Sequence, residues 1–282
     1  MKVQLARWQC DALHAFWSSQ GVKSEPQRAK LVRLASDKLL FRSPHDLSVR
    51  LQALRHALWL HAGIHDADVG AMVGRYPRVL CGDVATSAAA KLAGLVAGLP
   101  GVDLKLLLEA SPQLLSLEPQ ATVVARAHAL QLLMPHCDVL RMCELHPQLL
   151  TVSVPRTVEP ALAVLVDVLA THGAGAAETA VRVAQAAPRL LTSAPGTVRA
   201  RAALLERVAP GTVRTLQGKP ASLGRLLSSS ERALLRIAFV RSCAPEGGQL
   251  GPLRLVGLSA AAFGTRFPGF EAWLDSPEAA AC

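Results

Sequence analysis

Ala187-Pro188-Arg189-Leu190-Leu191 repeats, with small changes, a phrase that the chain has already used three times. The earlier copies are Tyr76-Pro77-Arg78-Val79-Leu80, Ser111-Pro112-Gln113-Leu114-Leu115 and His146-Pro147-Gln148-Leu149-Leu150, so the prolines stand 35, 35 and 41 residues apart. Weaker copies extend the series at both ends: Ser36-Asp37-Lys38-Leu39-Leu40, which lacks the proline, and Lys219-Pro220-Ala221-Ser222-Leu223. A period of this length marks stacked supersecondary units, each burying against its neighbour the apolar face it cannot bury alone. Such an array binds along its surface, so the search turns from a catalytic pocket to a face.

Outward from the phrase, the sequence reads as pairs of helices. Val158, Ala161, Leu162, Leu165, Val166, Val168 and Leu169 keep a 3.6-residue rhythm over residues 157–169, and Gly173 and Gly175 stop it. A second helical stretch over 178–186 meets Pro188, which cannot continue a helix and turns the residue before it away from the α region. The same grammar predicts helices over 47–61 and 67–75, 87–99 and 103–110, 122–133 and 139–145, and 197–208 and 213–217. The two apolar residues closing each phrase are expected to plug the groove between one repeat and the next. With few strand signals and only 4% aromatic residues, the fold class is all-α, a helical-repeat solenoid.

Helix, glycine-containing turn, second helix and Pro-x-Leu-Leu phrase, reiterated every 30 to 40 residues, resembles the mitochondrial transcription termination factor (mTERF) family. Ser230-Glu231-Arg232-Ala233-Leu234-Leu235-Arg236, Leu253-Arg254-Leu255 and Leu258-Ser259-Ala260-Ala261-Ala262-Phe263 resemble that family's closing repeats and their Leu-Ser-x-x-x-Phe ending. The likeness covers about residues 30 to 275. It implies a curved, all-helical superhelix in the mitochondrion, with the chloroplast as the alternative, whose positive concave face holds DNA or RNA without catalysis. Residues 1–27, with Trp8, Phe16 and Trp17 at roughly helical spacing, are expected to cap an array over 28–275, followed by a short tail over 276–282. Residues 245–251 read as a loop, and Phe267-Pro268-Gly269-Phe270 as a second cap or a docking element.

Composition bounds the rest. The chain of 282 residues is 51% hydrophobic, and a length that would ordinarily suggest two globular domains is better explained by one continuous array. No stretch free of Asp, Glu, Lys and Arg exceeds 11 residues, short of the roughly 20 a membrane helix needs, so a soluble protein is expected. The first 25 residues hold Lys2, Arg7, Asp11 and Glu25 and no signal-peptide core. Six cysteines without a CxxC pair read as buried small hydrophobes in a reducing compartment.

Charge has to speak for the ligand, because packing leucines and prolines do not. The net charge of +9 suits a phosphate-rich partner, and it is unevenly placed. Arg199, Arg201, Arg207, Arg214, Lys219, Arg225, Arg232, Arg236 and Arg241 face only Glu206 and Glu231 over residues 199–241, a surplus of seven. Residues 28–55 carry a surplus of five, whereas residues 81–180 carry a deficit of four. Repeat register gives two further sets. The position after the proline holds Lys38, Arg78, Gln113, Gln148 and Arg189, and thirteen or fourteen residues after the proline position stand Arg50, Lys91, Arg126 and Arg201. Equivalent positions align along an array, so each set can form a stripe for nucleic acid; the alternative is a solvated outer face.

Aromatic rings are missing from residues 77–240 apart from Phe239, so the middle of the chain has no platform on which single-stranded bases could stack. Backbone and shape contacts to a folded nucleic acid are therefore expected, and the acidic centre argues against a long DNA duplex lying along it. The resulting expectation is a non-catalytic protein bound to structured RNA, ribosomal RNA first, among neighbouring proteins of a large organellar assembly. Double-stranded DNA in transcriptional regulation and a pure protein scaffold are the alternatives. His56, His61 and His65 near Asp66 and Asp68 lack a shared helix face once Gly63 breaks the helix, so packing histidines are favoured over a metal site. No phosphate loop, dinucleotide fingerprint or nucleophile elbow occurs, and neither a cofactor nor a small-molecule substrate is expected.

Overall fold

The computed structural model describes residues 5–36, 43–171, 173, 175–243, 250–276 and 279; the weak first phrase after Ser36, Lys38 with it, most of the 245–251 loop and most of the tail lie outside the described residues. The described residues are helical or in turns and loops, with no strand among them. Prolines set the element ends. Tyr76, Ser111, His146, Ala187, Lys219 and Phe267 each precede a proline, and all six have φ between −145° and −128° with ψ between 69° and 83°. That is the off-helix conformation the proline ring imposes on its predecessor. Four of the phrases then wind into a short 3₁₀ helix: Pro77–Leu80, Pro112–Ser116, Pro147–Leu150 and Pro188–Thr192. Their prolines and the leucines Leu80, Leu114, Leu149, Leu150, Leu190 and Leu191 are buried, as plugs of a core should be.

The chain packs as two compact units, residues 1–132 with 143–151 and residues 133–142 with 152–282. The first contains α1 (Arg7–Ser19), α2 (Glu25–Ser36), α3 (Pro44–Ala62), α4 (Val69–Arg75), α5 (Val84–Gly98), α6 (Leu104–Ala110) and nearly all of α7 (Ala125–Leu133). Its long helices follow one another, α3 on α5 and α5 on the π-helical turn Pro119–Val124 that opens α7. Its shorter ones do the same, α2 on α4 and α4 on α6, while α1 packs on α2 and α3. Trp17 of α1 is fully buried with Phe16 edge-on to it at 5.1 Å, whereas Trp8 remains 71% exposed.

Helix α8 (Val139–Leu145) runs across the division between the units. The second unit repeats the pattern with α9 (Glu159–Ala170), α10 (Ala176–Ala186), α11 (Pro195–Val208), α12 (Thr212–Leu216) and α13 (Pro220–Leu227). It closes with α14 (Glu231–Cys243), α15 (Pro252–Gly257), α16 (Ala260–Arg266) and α17 (Phe270–Leu274). Helix α11 packs between α9 and α14, and α13 between α10 and α15. Gly224 makes the α10–α13 approach possible, since a Cβ there would stand 2.7 Å from that of Ala187. Phe239, Phe263, Phe267, Phe270 and Trp273 close this unit as a buried aromatic cluster, with ring centroids 4.8 to 6.4 Å apart.

Several helices begin earlier than hydrophobic rhythm alone indicates. The long helix expected over 87–99 starts at Val84 because Asp83 caps it. Those expected from 122 and 157 are preceded by the π-helical turns Pro119–Val124 and Val154–Val158, whose prolines occupy first-turn positions where no N–H is missed.

Candidate nucleic-acid interface

Short helices expose many unpaired backbone groups for their length, and much of the charge in this chain answers them. Asp68, Asp103 and Asp138 recur at the repeat spacing, and each accepts from the backbone N–H three residues on, at 2.8 to 2.9 Å. Glu109 accepts from the N–H of Asp68 at 2.9 Å, and Glu144, 35 residues later, from that of Asp103 at 2.8 Å. Glu206 takes the N–H groups of Gly211 and Val213 at the start of α12. The hydroxyl and backbone N–H of Thr86 hold the Asp83 carboxyl below the usual carboxylate range, and Lys105 does the same to Asp66. The acidic centre is thus in good part a set of N-terminal caps.

Arginines perform the complementary task at carbonyl ends. Arg28 donates to the carbonyls of Val22 and Lys23, and Arg75 to that of Glu109 in the last turn of α6. Arg50 donates to the carbonyls of Leu80, at 3.2 Å, and Gly82; Arg126 donates to that of Leu150 at 2.8 Å. Both receive the end of a 3₁₀ phrase. Lys91, in the same register, pairs with Glu118, so three of the four side chains of that stripe are engaged within the fold, and Arg201 has no hydrogen bond or ion pair from its side chain to a described residue. Arg241 donates to the last carbonyl of α11, Val208, at 2.7 Å.

Arg236 requires a correction. It is 7% exposed, donates from Nη1 to the Leu258 carbonyl at 2.6 Å and lies 4.8 Å from the centre of the Phe263 ring, while its Nε has no partner among the described residues. Burial, with Arg232 nearby, pulls its pKa down. The side chain is an interior brace between α14 and the link from α15 to α16, out of reach of a nucleic acid. The charge surplus over 199–241 that suggested a contact cannot tell a solvated arginine from one that seals a carbonyl.

The remaining candidates are outward. Arg207, Arg214, Lys219, Arg225 and Arg189 are exposed and Arg201 half-buried, none with a hydrogen bond or ion pair from its side chain to a described residue. Arg78 is exposed in the first unit under the same conditions, and Gln148 is exposed and Gln113 half-buried at the equivalent position. Arg199 pairs with Asp167 at 3.4 Å and Arg232 with Glu271.

Two clefts gather cations that the sequence reading did not bring together. In the first unit Lys30, Arg75 and Arg78 line a cleft of about 200 Å³ with Leu34, Tyr76, Pro77 and Cys81. In the second, Arg225, Arg254 and Arg266 line one of about 360 Å³ with Leu250, Leu253, Gly257 and Leu258. Neither has a carboxylate among its described lining. Lys30, Arg75, Arg254 and Arg266 were absent from the expected contacts. A signal for two of them existed, since Arg75 and Arg266 each stand two residues before a turn proline, Pro77 and Pro268.

The other candidate chemistry has local explanations. His56 and His65 lie against Trp59, with ring centroids at 5.5 and 6.2 Å, and no group of three or more His, Cys, Asp or Glu side chains among the described residues is placed to hold a metal. Cys137 and Cys143 are buried, and burial pushes the Cys143 thiol up to about 12; Cys81 and Cys243 are exposed. No helix among the described residues is long and apolar enough to cross a membrane. Compared with known proteins, the chain matches no family model, no curated protein and no solved structure.

Proposed function

We propose that the stacked helix pairs form a helical-repeat array of the mTERF kind that binds structured RNA without catalysis, as a component of an organellar ribonucleoprotein such as the mitochondrial ribosome. One observation carries this reading: Arg189, Arg207, Arg214 and Lys219 are exposed on the second unit and Arg201 is half-buried there, all with no partner among the described residues, although other charged side chains nearby are paired or capping. Unpaired arginines on a rigid helical scaffold suit phosphate, which accepts their planar fork in a bidentate manner. With Phe239, Phe263, Phe267 and Phe270 in the core, these rings offer no stacking platform, which favours contacts to backbone over reading of bases.

Duplex DNA stands as the second reading, and one observation favours it. Asp68, Asp103, Asp138, Glu109 and Glu144 serve backbone N–H groups and are not bare charges facing a ligand. The discriminating experiment is ultraviolet crosslinking in organelle extract followed by sequencing of the attached nucleic acid. Ribosomal RNA recovered at a few discrete positions supports the first reading, and a DNA site would replace it with the second. Replacing Arg201, Arg207 and Arg214 together by Gln is expected to abolish the crosslink; a crosslink that survives would sink both.

A further inference from the structure

The cleft between α13, α15 and α16 has the build of an anion receptor. Arg225 comes from α13, Arg254 from α15 and Arg266 from the last position of α16, so three separate helices bring an arginine to the lining of one opening. Like charges gathered over the apolar walls of Leu250, Leu253 and Leu258 repel one another until an anion joins them, and low-dielectric walls strengthen that field.

Two of the arginines are held in place. Arg266 lies over the Phe267 ring, 5.8 Å from its centre. Arg225 rests on Gly257, where a Cβ would stand 3.2 Å from its Cζ and closer still to one of its terminal nitrogens. Glycine at the end of α15 thus provides the seat of a guanidinium. Behind the wall, Arg236 fixes the Leu258 carbonyl at 2.6 Å and braces Phe263 of α16.

We propose that Arg225, Arg254 and Arg266 form a phosphate-binding site, with Gly257 as the seat that aims Arg225 into it. This rests on the RNA reading above for the source of the phosphate, which is then the backbone of the bound strand. Three guanidinium forks match the oxygens of one or two neighbouring phosphate groups, and a carboxylate, with two oxygens and a single charge, satisfies fewer of them.

Gly257→Ala is the sharpest test. The methyl group meets only the far end of the Arg225 side chain and no backbone atom, so the fold should persist, which circular dichroism and thermal unfolding would verify. Calorimetric titration of the full chain with inorganic tripolyphosphate, and separately with a ribosomal RNA hairpin, compares the original protein with Gly257→Ala and with the double variant R254Q/R266Q. We expect both affinities to fall by about threefold to tenfold for Gly257→Ala and at least tenfold for the double variant, the scale of one or more charge-assisted hydrogen bonds.

If tripolyphosphate binding falls and RNA binding does not, the cleft serves a small phosphate ligand and its assignment to RNA is overturned. If tripolyphosphate binding is indifferent to all three residues, or poly-glutamate competes as well as tripolyphosphate does, the phosphate site itself is refuted. The RNA reading is then judged separately, by whether the original protein binds the hairpin at all.

Discussion

A caps-and-braces function for charged side chains is most easily tested one residue at a time. Asp103 closes the N-terminus of the seven-residue α6 by accepting from the N–H of Leu106 at 2.9 Å. Asp103→Ala should therefore cost about 1 kcal/mol, the usual worth of such a cap, and urea denaturation would show it as a lower midpoint with an unchanged slope. Arg236→Ala should cost more, about 2 kcal/mol, since it strips the Leu258 carbonyl of its donor and removes the packing of a buried side chain from Phe263. An equal or smaller loss than at Asp103 would mean that Arg236 is replaceable by water. Cys143 gives a prediction in pH. Its folded thiol is pushed up to about 12, whereas an unfolded thiol titrates near ~8.5, so the unfolded chain loses its proton first. Its contribution is therefore intact below about pH 8.5 and declines as pH rises toward 12. Between pH 8.5 and 10.5 the original protein should lose about 2 kcal/mol more than Cys143→Ala, and parallel profiles would show that the thiol has no part in it.

Elements were legible where a proline or a glycine states the end of a helix. Pro77, Pro112, Pro147 and Pro188 mark both the stop of a short helix and the start of a 3₁₀ turn, and Gly63 ends α3 with φ of 66°. Helix starts were less legible, because a cap such as Asp83 lies outside the apolar rhythm of the helix it opens. The same holds for Asp68, Asp103 and Asp138, which repeat at 35 residues as faithfully as the prolines but read, as bare charges, like an acidic surface. Close approach of two helices leaves even less trace. Gly224 is one glycine among 20 in sequence, yet it is where α13 meets α10. Gly224→Ala would place a methyl group 2.7 Å from Ala187 Cβ and 3.3 Å from the Val183 carbonyl oxygen, and the backbone there cannot swing aside. The expected cost is about 1 to 3 kcal/mol, against the small gain that alanine brings to an exposed helix. Thermal unfolding separates the two signs directly.

For the molecule as a whole, the charge balance is more informative once the structural charges are set apart. Arg28, Arg50, Arg75, Arg126, Arg236 and Arg241 close carbonyl ends and several carboxylates close N–H ends, so neither the surplus of basic residues at the two ends nor the acidic middle measures affinity by itself. The candidate site was legible as a region but not as a set of side chains: sequence places arginines over 199–241, while only packing distinguishes Arg236, buried under Phe263, from Arg207 or Arg214 in solvent. Salt dependence tests that distinction. Each phosphate neutralised by a basic side chain steepens the fall of log K with log salt, by roughly 0.7 for a single strand and roughly 0.9 for B-form DNA. Removing Arg201, Arg207 and Arg214 together should flatten the slope by about 2 to 3 if all three touch RNA phosphate. Replacing Arg50 and Arg126, whose guanidinium groups are turned to the carbonyls of Leu80 and Leu150, should lower stability and leave the slope as it was. A slope that answers to Arg50 and Arg126 instead would mean that binding draws these arginines away from their carbonyls, making the ends of the 3₁₀ turns part of the interface.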